Sequence, residues 1–365
     1  MAKKKKVTPC VLVNKGIFLG PAGNISPCCL STYSFGNIKE TSLEKAFVSK
    51  QAKLFRKNYY RGQLDKDCDN CITNKINHRV FSNQKYINNN SIFLEHAELN
   101  LSNTCNLQCI MCGPMSAHKW AKALGETHWN FNLNKEQCIA VAQTLKNVKT
   151  IVLKGGEPFY HGYIDNFFEE LLKVNPSVNI NILSNGTNWK DNTLDILNKF
   201  PNKPSISISL EAIGDLYKYI RGGEYSFEDV LSNIDKAKSK GIITNFLQFA
   251  STISFWNMDV WIEQHHKLIQ VMNNELKIPD IDISIDYVRH PISSSIYLKK
   301  VNHRTKIFNN IQNNKLFRTK GKLSSAFLLP KEDKIDHMAN IQKHNKFRNL
   351  DIETINPYIL DNLTD

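Results

Sequence analysis

The sequence contains no run of about 18 apolar residues, so no segment is built to span a bilayer. No export signal is expected either. Met1-Ala2-Lys3-Lys4-Lys5-Lys6 is basic, but Val7 to Phe18 carries Pro9, Asn14 and Lys15, too polar for a signal-peptide core. Glycine is sparse, 16 in 365 residues, which excludes a collagen-like repeat. Hydrophobic residues at 41% and aromatics at 10% exclude a disordered chain and suffice for a sizeable core. The length suits one large domain with attachments, or two domains. The nine cysteines are an odd number, and without an export signal they argue against a disulfide scaffold. A cytoplasmic protein with no membrane contact is expected.

Acidic residues are few, 34 Asp and Glu against 47 Lys and Arg, and the imbalance is local. Residues 1–80 hold 15 bases and 5 acids, and residues 295–350 hold 13 and 3. Residues 81–294 hold 19 and 22 and are near neutral. Basic flanks suit an acidic peptide or a nucleic acid, although net charge alone specifies neither and a solvated Lys-rich surface accounts for it too.

Two groups of cysteines carry the chemistry. In Cys105-Asn-Leu-Gln-Cys109-Ile-Met-Cys112, three thiols fall within eight residues. A four-iron cluster takes four cysteine ligands. With no fourth cysteine nearby, one iron is left open for a small molecule, as one position is left open in catalytic zinc sites. The triad follows a strand-like alternation, Ala97–Leu101. Further strands are expected at Thr150–Leu153, Asn179–Leu183, Ser205–Leu210, Asn245–Ala250 and Ile281–Val288. Helices are expected at Ile164–Val174, Thr193–Phe200, Phe227–Lys240 and Val260–Leu276. The alternation predicts a parallel α/β architecture wound into a barrel or partial barrel, with ligands at the carboxyl ends of the strands. Those ends carry Gly155-Gly156-Glu157-Pro158, Ser184-Asn185-Gly186, and Ser209-Leu210-Glu211, with Arg221 shortly after. Such a rim serves a ligand bearing an amine, a carboxylate and a ribose.

These residues resemble the radical S-adenosylmethionine (radical SAM) superfamily. The Cys-x3-Cys-x2-Cys spacing of Cys105, Cys109 and Cys112 and the Gly155-Gly156-Glu157-Pro158 motif match it in strand order, over about 200 residues from roughly 92 to 290. The resemblance implies a partial (β/α)6 TIM-like barrel over 90–292. It also implies a [4Fe-4S] cluster with an open iron and S-adenosylmethionine bound there. Gly155, Gly156 and Glu157 would meet the methionine amino group, with Ser184 and Asn185 at the neighbouring strand end. Ser209 and Glu211 would meet the ribose, and Arg221 the methionine carboxylate. One electron, from a donor such as flavodoxin or ferredoxin, would then release a 5′-deoxyadenosyl radical that takes hydrogen from a substrate.

The second group is Cys10, Cys28 and Cys68-x2-Cys71. Val11–Val13 and Ile17–Leu19 flanking Asn14-Lys15-Gly16 predict a hairpin. A helix capped by Thr41 or Ser42 and running through Leu43, Phe47, Leu54 and Phe55 would bring the Cys-x2-Cys back to it. Cys29 adjoins Cys28 and can replace it. The pattern resembles the SPASM and twitch extensions of radical SAM enzymes, which implies a second [4Fe-4S] cluster in residues 1–85; four thiolates suit zinc equally well. Residues 293–365 form a basic C-terminal extension. Cys138 reads as a small buried apolar residue and His96, His118, His128 and His161 as structural or solvent-facing. The implied function is hydrogen abstraction from a peptide, protein or small molecule. A nucleoside- or RNA-modifying enzyme and a zinc-stabilised binding protein are the alternatives.

Overall fold

The computed structural model describes residues 10–73 and 92–250, positions 264, 267, 268, 270, 271 and 274, and the strand 283–287. The extension 293–365 and most of the expected helix Val260–Leu276 lie outside the described residues. The chain divides into two compact units. One comprises Met1–Thr104, Trp129–Leu183 and Lys190–Ser205; the other comprises Cys105–His128, Ser184–Trp189 and Ile206–Asp365.

The first unit begins with a helical turn, α1 (Val11–Lys15), then β1 (Gly16–Leu19), β2 (Asn24–Ser26) and β3 (Gly36–Asn37). Helices α2 (Leu43–Phe47), α3 (Lys50–Tyr60) and α4 (Lys66–Thr73) follow, then β4 (His96–Asn100). Its remaining elements are α6 (Lys135–Thr144), β5 (Thr150–Lys154), α7 (Ile164–Val174), β6 (Asn179–Ser184, whose last residue belongs to the other unit) and α8 (Asp191–Asn198); α5 (His118–Ala123) falls in the second unit. The strand order is β3-β2-β1-β4-β5-β6. β1, β4, β5 and β6 run parallel, with Gly16 opposite His96, His96 opposite Thr150, and Thr150 opposite Asn179.

Alternation sets the two faces of this sheet. Ala97, Leu99, Ile151, Leu153, Ile180 and Ile182 are buried, while Glu98, Val152 and Asn181 between them are partly exposed. In α7, Ile164, Phe167, Phe168 and Leu171 repeat at helical spacing and are buried, and the helix packs along both α6 and α8. Burial of each such side chain contributes roughly 1.5–3 kcal/mol. The second unit also contains β7 (Ser205–Ser209, its first residue in the other unit), α9 (Gly214–Arg221), α10 (Phe227–Ser239), β8 (Ile243–Ala250) and β9 (Ile283–Tyr287). β8 and β9 pair in parallel, Phe246 opposite Ile283. The α/β class and the parallel strands are those expected.

Two local expectations are corrected. Val11–Val13 is part of a helical turn, and the hairpin lies one element later, between β1 and β2. There Gly23 (φ +83°) donates to the Gly20 carbonyl at 3.0 Å and Gly20 donates to the Asn24 carbonyl at 2.8 Å. Lys15 is buried at the end of that turn because Glu95 receives its ammonium at 2.8 Å. The single helix expected through Leu43–Phe55 is two. Ser42 caps α2 by accepting from Lys45 N, and Ser49 starts a new helix by accepting from Ala52 N. Among the described residues no helix is long and apolar enough to cross a membrane.

Candidate metal centres

In the second unit the Cys105–Cys112 loop is fastened by its own neighbours. His118 Nδ1 accepts the Cys105 backbone N–H at 3.0 Å, and Trp120 Nε1 donates to the Cys109 carbonyl at 3.0 Å. Lys119 Nζ donates to the Asn106 carbonyl at 2.7 Å, so three consecutive residues of α5 hold the loop. Ile110 N donates to the Ile220 carbonyl at 2.9 Å, which ties the loop to α9. Asn106 is gripped from the turn after β6: its Nδ2 donates to Thr187 Oγ1 at 2.7 Å and its Oδ1 accepts from Asn185 Nδ2 at 2.9 Å.

The three thiols of this loop come together. Cys105 and Cys109 are buried, and Cys112 is half-buried. Cys109 and Cys112 share a hydrogen bond, and Cys105 lies within electrostatic reach of Cys112. That hydrogen bond, and the Arg221 charge working against the cost of burial, pull the Cys109 thiol well below the usual thiol range. Cys112 moves the opposite way, as the partner that keeps its proton.

Arg221 and Glu211 are brought together as a buried pair. Arg221 Nε donates to Glu211 Oε2 at 2.7 Å and Nη2 to Oε1, while Nη1 reaches Cys109 Sγ at 3.7 Å. Burial opposes the charge on Arg221, and Glu211 restores it. The turn Ser184–Thr187 is locked internally. Ser184 Oγ accepts from Gly186 N and from Trp189 Nε1, and Asn185 Oδ1 accepts from Thr187 N and Oγ1. Asn185 Nδ2 also reaches Cys105 Sγ at 3.8 Å. Ser209 is buried at the end of β7.

In the first unit, the glycine motif nests on the segment that leads into Cys105. Glu157 N donates to the Thr104 carbonyl at 2.7 Å. Gly155 (φ +81°) and Gly156 (φ +50°) are left-handed, and a Cβ on either would overlap Asn100 or Thr104. Glu157 is only 1% exposed, and its Oε1 accepts from Phe159 N at 3.1 Å. The glycines thus serve an approach between two parts of the chain, and the Glu157 carboxylate caps the turn that follows.

Four of the other cysteines, Cys10, Cys28, Cys68 and Cys71, line one pocket in the first unit, with Tyr59 and Asp67 among its other walls. Cys10 is the N-cap of α1, Cys28 follows β2, and Cys68 and Cys71 sit one turn apart on α4. Asp67 Oδ2 accepts from Thr32 N at 2.7 Å and from Thr32 Oγ1 at 2.6 Å, which pins α4 to the loop after Cys28. Cys29 does not line this pocket; its thiol is engaged with Glu98 and Lys154. Burial pushes the Cys10 thiol up to about 11 and Cys68 up to about 12, with neighbouring thiols adding to it. Crowded, desolvated thiols of this kind ionise when a metal neutralises them. Among the described residues no three His, Cys, Asp or Glu are arranged to hold a single metal ion. The four thiols instead surround a space.

His118, Trp120 and Lys119 were not singled out by sequence as supports of the cysteine loop. Their only signal is position, within eight residues after Cys112 on a short helix. Cys138 is fully buried on α6, and its thiol is pushed up to about 12 by burial alone.

Residues 99–257 match the radical SAM superfamily, and residues 10–72 match SPASM, an iron-sulfur cluster-binding domain. Over 146 residues the chain is 30% identical to the sporulation killing factor maturation protein SkfB of Bacillus subtilis strain 168, covering 40% of this chain and 33% of that protein. Over 166 residues it is 28% identical to the antilisterial bacteriocin subtilosin biosynthesis protein AlbA of the same strain, covering 45% and 34%. The matched stretch thus spans about a third of the length of each relative. A solved structure, native anSMEcpe with bound AdoMet, aligns with a TM-score of 0.45 at 16% identity, covering 59% of this chain and 58% of that one. The chain carries a radical SAM domain. Before it in sequence stands a SPASM domain, an iron-sulfur cluster-binding domain. The first domain implies a four-iron cluster and S-adenosylmethionine, and the second implies a further iron-sulfur cluster in place of zinc. The donor sets fit both: three converging thiols with a guanidinium beside one sulfur, and four thiols around one pocket.

Proposed function

We infer that the chain cleaves S-adenosylmethionine reductively at a cluster held by Cys105, Cys109 and Cys112, and that the resulting radical modifies a peptide. The observation that carries this reading is the convergence of three buried or half-buried thiols in one loop, with Arg221 against one sulfur. When bound, the cluster and S-adenosylmethionine supply a 5′-deoxyadenosyl radical that takes a hydrogen atom from substrate. The chain's own residues do the rest. His118, Lys119 and Trp120 fix the loop's backbone; Asn185 and Thr187 fix Asn106; and the buried apolar side chains Leu107, Ile110, Met111 and Trp120 keep water from the sulfurs. A peptide substrate is supported by the maturation and biosynthesis proteins that the chain resembles.

Cys10, Cys28, Cys68 and Cys71 would hold the second cluster. Four thiolates fill all four irons of a cluster, so this one is suited to pass an electron and not to bind substrate at iron. A flavodoxin or ferredoxin would serve as donor. The test is anaerobic reconstitution, reduction with S-adenosylmethionine, and chromatography for 5′-deoxyadenosine, followed by mass analysis of candidate peptides. Cys109→Ala abolishes 5′-deoxyadenosine, and Cys71→Ala leaves some uncoupled cleavage. Full turnover by the Cys109 variant, or modification of RNA and no peptide, overturns the reading.

A further inference from the structure

Arg221, Glu211 and Asn185 stand where the sequence pattern puts contacts to S-adenosylmethionine, yet their polar atoms are committed elsewhere. Arg221 is 5% exposed and Glu211 2%. Two of the three guanidinium nitrogens meet the two oxygens of Glu211, and the third, Nη1, points at Cys109 Sγ from 3.7 Å. Asn185 Nδ2 donates to Asn106 Oδ1 at 2.9 Å and also reaches Cys105 Sγ at 3.8 Å, while its Oδ1 is taken by Thr187. Two of the three cluster-loop sulfurs therefore face a buried N–H donor fixed by a partner of its own.

We propose that Arg221, held by Glu211, and Asn185 are sulfur-directed donors that set the reduction potential of the cluster on Cys105, Cys109 and Cys112, and do not hold the carboxylate of S-adenosylmethionine. The inference rests on the cluster reading above. Hydrogen bonds to cluster sulfurs, burial and local charge are the protein's levers on such a potential. A donor at sulfur favours the more negative, reduced state, and a low dielectric strengthens it. Glu211 acts in two ways: it positions the guanidinium, and its negative charge opposes reduction.

That opposition gives two conservative substitutions of opposite sign. Arg221→Lys keeps the positive charge against Glu211 but has no planar fork to reach both the carboxylate and Cys109. Its cluster is harder to reduce. Glu211→Gln keeps the guanidinium and one acceptor while removing the negative charge, so its cluster is easier to reduce. The experiment uses the full chain, loaded without oxygen, and a redox titration followed by electron paramagnetic resonance of the signal that changes when S-adenosylmethionine is added. The dissociation constant of S-adenosylmethionine is measured on the same preparations.

Arg221→Lys is expected to be about tenfold less reduced at a fixed ambient potential, a midpoint about 59 mV lower for one electron. Glu211→Gln is expected to shift the other way, with S-adenosylmethionine affinity within about twofold of the parent in both. Affinity lost about tenfold in Arg221→Lys with the potential unmoved would make Arg221 a carboxylate ligand and overturn the proposal. Shifts of the same sign, or none, overturn it too. Should Arg221→Lys fail to hold iron, Glu211→Gln decides alone, and an unmoved or lowered potential there sinks the idea. A parent without any signal sensitive to S-adenosylmethionine fails the cluster reading itself, whereas a sensitive signal with unmoved variants fails only the assignment of these donors.

Discussion

Gly156→Ala tests how the glycine motif positions the segment that enters the cysteine loop. An added methyl would stand 2.2 Å from the Thr104 carbonyl oxygen, 2.8 Å from the Asn103 carbonyl carbon and 2.9 Å from the Thr104 carbonyl carbon. All three are backbone atoms, so no rotamer change relieves the overlap. A left-handed alanine costs about 1–2 kcal/mol and overpacking about 1–3 kcal/mol. Pushing Thr104 away also weakens its bond from Glu157 N, worth about 1 kcal/mol. Together these come to roughly 3–6 kcal/mol, a large part of a typical stability of about 5–15 kcal/mol. Gly125 provides the control. It is also left-handed (φ +71°), but nothing lies within 4 Å of an added methyl, so Gly125→Ala costs only the backbone term of about 1–2 kcal/mol. The assay is urea unfolding of both variants beside the parent, with iron per chain measured after reconstitution. Gly156→Ala unfolds at clearly lower urea than Gly125→Ala and retains less iron. Equal midpoints for the two would refute the argument that Gly156 serves a close approach of backbone to backbone.

Two further predictions follow from the first unit. Because Cys28 lines the thiol pocket and Cys29 is engaged with Glu98 and Lys154, Cys28→Ser loses the N-terminal iron while Cys29→Ser retains it; iron and sulfide analysis that ranked them the other way would reverse the ligand assignment. Glu98 resists ionisation through burial, but a hydrogen bond from His96 and the Lys154 ammonium, 2.6 Å away, hold its carboxyl far below the usual range. A depressed carboxyl contributes stability above its unfolded value of about 4.3 and loses it as pH falls below that. Glu98→Gln should therefore show a shallower loss of unfolding midpoint than the parent between about pH 6 and pH 3.5, and parallel curves would contradict the pairing.

The strands from β4 to β7 were legible because alternation of buried and half-exposed residues is written into them, as in Thr150-Ile-Val-Leu-Lys154 and Ser205-Ile-Ser-Ile-Ser209. The cysteine spacing was legible because it is local. What escaped depends on partners far away in sequence. Val11–Val13 is too short for periodicity to separate helix from strand, and Lys15 finds its reason in Glu95. Ser49 ends one helix and begins another only because its hydroxyl accepts from Ala52 N, a bond no spacing shows. Cys28 and Cys29 differ by what lies opposite them, and Lys154 and Glu98 are remote from both in sequence. The same holds for Arg221, the last residue of α9, whose donors meet Glu211 and Cys109.

The central claim is an iron site with one position left for S-adenosylmethionine, held by Cys105, Cys109 and Cys112. Electron paramagnetic resonance of the reduced, anaerobically loaded chain, recorded with and without S-adenosylmethionine, tests it most directly. The parent should give a signal that changes on addition, and the triple variant Cys105→Ala/Cys109→Ala/Cys112→Ala should lose that change while keeping the signal of the N-terminal cysteines. A parent spectrum indifferent to S-adenosylmethionine, or a response that survives the triple substitution, would contradict the account.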